Sequence, residues 1–102
     1  MVFKCSDFVY RKHALEWLLS RNINPADIEE IVKNGEIINE YPEDKPFISY
    51  LVLGFINKKP IHVVISQDIE GNCIIITTYI PDNKIWNIDF KTKIKWNALF
   101  AN

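Results

Sequence analysis

The sequence predicts an α+β domain: two N-terminal helices packed on an antiparallel sheet of about four strands. Two observations carry this. Apolar residues recur at helical spacing as far as Asn34-Gly35, and from Glu36 onward short β-branched and aromatic runs alternate with turn residues. A third sets the scale, since 102 residues with 48% apolar content suit one domain that buries its own core.

Ser6 or Asp7 can cap a first helix, in which Phe8, Ala14, Leu15, Leu18 and Leu19 fall on one side at roughly 100° per residue. Asn22-Ile23-Asn24 interrupts it. Asn24-Pro25-Ala26-Asp27 then supplies a cap, a proline at the first helical position and an acid at the positive helix end. Ile28, Ile31 and Val32 form the apolar stripe of this second helix, and Asn34-Gly35 reads as a left-handed stop. Strands are expected over Glu36 to Tyr41, Phe47 to Ile56, Pro60 to Ser66 and Cys73 to Tyr79. Pro42 to Pro46, Asn57-Lys58-Lys59 and Asp68 to Asn72 are the connections, so the later strands form a meander. Ile85 to Phe90 is either a last edge strand or an irregular tail.

Charge is almost balanced, 12 Lys+Arg against 13 Asp+Glu, so nothing in the total argues for electrostatic capture of nucleic acid and any such role must rest on local charge. Acids crowd Asp27 to Asp44, while Lys84, Lys91, Lys93 and Lys95 dominate the C-terminal part. No run approaches the roughly 20 apolar residues of a membrane span. Cys5 and Cys73 stand far apart without metal-ligand spacing, and the N-terminus lacks the apolar run of a signal peptide. A reducing, cytoplasmic setting is expected.

His13, Trp17 and Arg21 recur at four-residue intervals with Tyr10 three before His13, so on one helix they form a stripe. An imidazole, a guanidinium and a phenol together can move a proton, hold a phosphate and orient both, as RNA cleavage through a 2′-hydroxyl requires. Alternation puts His62, Val64 and Ser66 on one strand face and Ile61, Val63 and Ile65 on the other, without choosing the core face. Thr77 and Tyr79 share a face on the next strand, where either can meet His62. Asp44, Asp68 and Asp82 sit in turns, where carboxylates cap backbone amides. No metal-ligand spacing, glycine-rich phosphate loop or nucleophile elbow is present, so neither a metal nor another cofactor is expected.

The ordered pieces Lys12-His13-Ala14, Arg21-Asn22-Ile23, Asn34-Gly35-Glu36-Ile37-Ile38, Tyr41-Pro42-Glu43-Asp44, Pro60-Ile61-His62-Val63-Val64 and Thr77-Thr78-Tyr79-Ile80-Pro81-Asp82, with Trp86 and Asp89-Phe90, carry a resemblance. The chain resembles a small prokaryotic family defined as a domain of unknown function, DUF family 4258. Its helix-helix-sheet plan looks like BrnT-, RelE- and MqsR-type toxins. That resemblance implies a metal-independent, toxin-like endoribonuclease acting on RNA, with a zinc-finger or helix-turn-helix antitoxin as partner. In this reading His13 and His62 are the general acid and base, Arg21 steadies the scissile phosphate, and Tyr79 or Thr77 orients it. Arg11, Lys91, Lys93 and Lys95 guide the RNA backbone. The competing reading is a non-catalytic interaction domain, presenting Trp17, Trp86 or Trp96 and edge strands to a protein partner or a second copy. A third is a small-molecule binder with a pocket between helix and sheet.

Overall fold

The computed structural model describes residues 3–94. The elements run β1 (Phe8–Tyr10), α1 (Lys12–Ser20), α2 (Pro25–Asn34), β2 (Glu36–Tyr41), β3 (Ser49–Ile56), β4 (Lys59–Gln67) and β5 (Cys73–Tyr79). They build one sheet of order β1-β5-β4-β3-β2, with both helices on one face. The α+β plan stands, but the sheet has five strands and is mixed, because β1 pairs with β5 in parallel.

That strand replaces the start of the expected first helix. Phe8-Val9-Tyr10 is a run of strand formers, and its flanks are tied to β5 by Cys73 N–H donating to the Asp7 carbonyl at 2.8 Å and Arg11 N–H to the Ile75 carbonyl at 3.0 Å. Helix α1 therefore starts at Lys12, behind Arg11, which makes no side-chain cap. Neither Ser6 nor Asp7 caps it. Shortened in this way, α1 buries Ala14 and Leu18, while Leu15 and Leu19 stay exposed.

Helix α2 is the expected one. The Asn24 side chain accepts from Ala26 N–H, Pro25 opens the helix, and Ile28, Ile31 and Val32 are buried. Its end differs: Gly35 has φ −74°, an ordinary extended value, so no left-handed stop forms. A glycine is needed there for space, since a Cβ would lie 2.5 Å from the Ile31 carbonyl and 2.6 Å from that of Leu53. Gly54 does the same from the sheet, where a Cβ would meet Ile31 side-chain atoms at 2.5 to 2.9 Å. The helix thus rests directly on β3.

Strands β2 to β5 form the meander. Asn57 and Lys58, at φ 49° and 69°, make the tight β3–β4 turn, so Lys59 already belongs to β4. Asp68 closes the β4–β5 turn by accepting from the Glu70 and Asn72 backbones. The longer strand expected from Phe47 begins at Ser49, and Ile85 to Phe90 is not a strand of the sheet; it carries one isolated bridge, Trp86 to Lys93. Lys95 and Trp96 lie outside the described residues.

The cysteines, far apart in sequence, are joined: Cys5 and Cys73 form a disulfide with Cα atoms 5.4 Å apart. Pairing of β1 with β5 brings them together, and it removes the argument for a reducing compartment drawn from their separation. Among the described residues no helix is long and apolar enough to cross a membrane.

Two predictions follow from this packing. Gly54→Ala should destabilise the domain by about 1–3 kcal/mol through overpacking against Ile31, read as a lower urea midpoint at unchanged slope. Because the bridge closes a loop with a sequence separation of 68, reduction should lower the unfolding free energy by about 2–4 kcal/mol. Denaturant titrations with and without reductant, scored alongside thiol labelling, measure this.

Candidate functional site

The centre of the helix face of the sheet is closed. Ile61, Val63, Ile65, Cys73 and Ile75 pack there against Ala14, Leu18, Ile28, Ile31 and Val32. Alternation then sends His62, Val64 and Ser66 to the opposite face, and the strand register arranges that face in cross-strand rows. One row is Glu36, Leu53, His62 and Tyr79; the next is Asn39, Leu51, Val64 and Thr77; the last is Tyr41, Ser49, Ser66 and Ile74.

The segment after β5 crosses the first row. Asp82 and Asp89 cap its turns, accepting from the backbones of Lys84 and of Lys91 and Thr92 respectively. Trp86 is buried, with its ring centroid 4.5 Å from that of His62 and nearly perpendicular to it. Lys91 Nζ reaches Glu36 at 3.2 Å, the one ion pair among the described residues, and Lys93 Nζ lies 5.6 Å from the Trp86 ring.

His62 is fully buried, with both ring nitrogens engaged. Nε2 lies 2.6 Å from the Phe90 carbonyl, which can only accept, so Nε2 carries the proton. Nδ1 is then the acceptor, and the Tyr79 hydroxyl 3.1 Å away donates to it. Burial lowers the His62 pKa below 6.5, against the opposing effect of the Phe90 carbonyl, so the imidazole is held neutral. Burial also raises the Tyr79 phenol above 10, with the Tyr41 phenol adding to the effect. Tyr79, Thr77, Val64 and Tyr41 are half-buried, so the face stays reachable beside the crossing segment. At its far end the Ser49 hydroxyl donates to Asp44.

The residues singled out in the sequence therefore divide between two sides. His62, Thr77, Tyr79, Lys91 and Lys93 lie on this face or on the segment over it. His13, Arg11 and Arg21 belong to the helix side, where His13 is exposed, so the two histidines do not converge. Arg21 stacks on Trp17, 5.0 Å from its centroid. Tyr10 leaves the expected stripe, because it sits in β1 and its hydroxyl donates to Glu29 at 2.6 Å. Trp86 is buried rather than presented to a partner. Sequence reading missed Tyr41 and the Phe90 carbonyl. Alternation from Glu36 would send Tyr41 to the other face, and only the bulge between Ile37 and Asn39 turns it to this one, while a backbone acceptor leaves no signal in residue type. Among the described residues no group of three or more His, Cys, Asp or Glu could hold a metal ion.

Residues 10–80 match the model of a family described as a domain of unknown function (DUF4258). No curated protein and no solved structure matches the chain.

A neutral buried imidazole has a pH signature. The unfolded chain takes up a proton near pH 6.5 that the folded chain refuses, so stability is complete above that pH and falls as pH drops below it. Unfolding free energies measured from pH 7.5 to 5 should fall with a slope of up to about 1.4 kcal/mol per pH unit. His62→Gln should flatten that part of the profile.

Proposed function

Since the chain belongs to the DUF4258 family over residues 10–80, and that membership assigns no activity, we propose from the geometry that it is a toxin-type endoribonuclease. Its working surface is the sheet face carrying Tyr79, Thr77 and His62. The observation behind this reading is the hydrogen bond from a reachable phenol to a buried neutral imidazole, 3.1 Å long. Such a pair is a proton relay: a ribose 2′-hydroxyl loses its proton to the Tyr79 oxygen as the Tyr79 proton passes to Nδ1 of His62. The resulting imidazolium keeps its Nε2–H bond to the Phe90 carbonyl, a charge-assisted bond stronger than the neutral one. The 2′-oxygen attacks phosphorus, and the departing 5′-oxygen takes a proton from water.

Tyr79 is the catalytic residue in this scheme and His62 a positioning residue that stores the proton. Thr77, one row along, orients the phosphate. Lys93 and Lys91 supply the local positive charge that the balanced total lacks; the exposed Lys91–Glu36 pair is weak enough to yield to phosphate. His13, Arg11 and Arg21 take no part. A zinc-finger or helix-turn-helix antitoxin is the partner this activity calls for, and the cytoplasm is where its RNA would be met.

A second reading, the non-catalytic interaction domain, is favoured by one observation. Strand β2 is a sheet edge with Ile37 exposed, open to pairing with a partner strand or with a second copy of the chain.

Expression of the native protein should arrest growth and deplete RNA. With purified protein and a single-stranded RNA in EDTA, Tyr79→Phe should slow cleavage by about 100-fold or more and His13→Ala should leave it unchanged. Intact RNA with folded native protein would sink the ribonuclease reading and leave the β2 edge as the surface to test.

A further inference from the structure

On the helix side a cleft of about 590 Å³ opens between the α1–α2 turn and the β3–β4 hairpin. That volume falls within the range of small-molecule sites, roughly 300–1,000 Å³. Its lining is mixed, with one carboxylate, Asp27, beside apolar and basic groups. Ile23, Ile56 and Ile61 supply an apolar floor, and Ile61 is almost wholly buried. Arg21 and Lys59 stand at the rim, brought there by the end of α1 and the start of β4. Neither cation is within ion-pair distance of Asp27, since the one ion pair among the described residues is Lys91 with Glu36, so both keep their charge for a ligand. Asn57 adds an amide that can both donate and accept.

We infer that this cleft binds a small phosphorylated molecule with a flat ring, of the nucleoside 5′-monophosphate class. The guanidinium of Arg21 and the ammonium of Lys59 hold the phosphate, the first as a bidentate fork and the second as a point charge. The isoleucines receive the ring, and the Asn57 amide meets its polar edge. Stacking on Trp17 fixes the plane of the guanidinium before a ligand arrives, which reduces the entropy lost on binding. This site lies across the sheet from Tyr79 and does not depend on the ribonuclease reading.

The test is titration of the isotopically labelled full chain with the four common ribonucleoside 5′-monophosphates, with adenosine and with inorganic phosphate, followed by amide chemical shifts. At least one monophosphate should give saturable shifts centred on Arg21, Asn57, Lys59 and Ile61, with adenosine and phosphate each at least about tenfold weaker. Arg21→Gln and Lys59→Gln, both exposed and outside the core, should each weaken binding by about tenfold, and Lys93→Gln should not. No saturable shift with any monophosphate, shifts centred on Trp86 and Lys93, or affinity unchanged in Arg21→Gln would overturn the assignment.

Discussion

The close seating of α2 on β3 is the constraint on which the architecture depends. Ile31 occupies the space that a side chain at position 54 would take, and the absence of a Cβ at Gly35 lets the chain turn from helix to sheet within one residue. With the helix drawn this near, Val52, Val63 and Ile65 on one side and Ala14, Leu18, Ile28 and Val32 on the other form a continuous apolar layer. Burial of that layer, at about 25 cal/mol per Å² of apolar surface, is the main favourable contribution to folding. The helix side of the sheet centre is filled as a result, so chemistry is confined to the opposite face and to the margins of the helix layer.

The opposite face handles burial differently. His62 is as inaccessible as the isoleucines beside it but is polar, and a buried polar group is tolerated only with its partners in place. The Phe90 carbonyl and the Tyr79 hydroxyl meet that requirement, one from a segment outside the sheet and one from the adjacent strand. The crossing segment and the imidazole therefore hold each other: the segment keeps water from His62, and His62 gives the segment a fixed point. Thr78 marks the contrast on the helix side, where its buried hydroxyl has no hydrogen-bond partner.

What could be read from the sequence follows how local each determinant is. Helix α2 carries its own boundaries, Asn24-Pro25 at one end and Asn34-Gly35 at the other, and β2 and β5 span the residues their turn signals delimit. Strand β1 escaped because three residues of strand formers gain their hydrogen bonds only from β5, some 65 positions away, and the helical spacing of neighbouring apolar residues competed for Phe8. The disulfide escaped for the same reason. Within the candidate site, pairing of His62 with Tyr79 was legible from alternation and register, while the separation of His62 from His13 was not. Alternation gives two faces without saying which one a helix will cover.

The bridge between Cys5 and Cys73 also changes how the molecule would carry mechanical load. Pulled from its two ends, the oxidised chain transmits force through the sulfur atoms, and everything between them is shielded from tension. At up to about 3.5 Å per residue, the 68-residue separation withholds roughly 240 Å of contour length from extension. Strands β2 to β4 and both helices lie wholly inside that closed loop, and β1 also falls within it. The segment over His62 lies outside it, which makes that segment the part of the described chain that tension from the C-terminal side would strip away first.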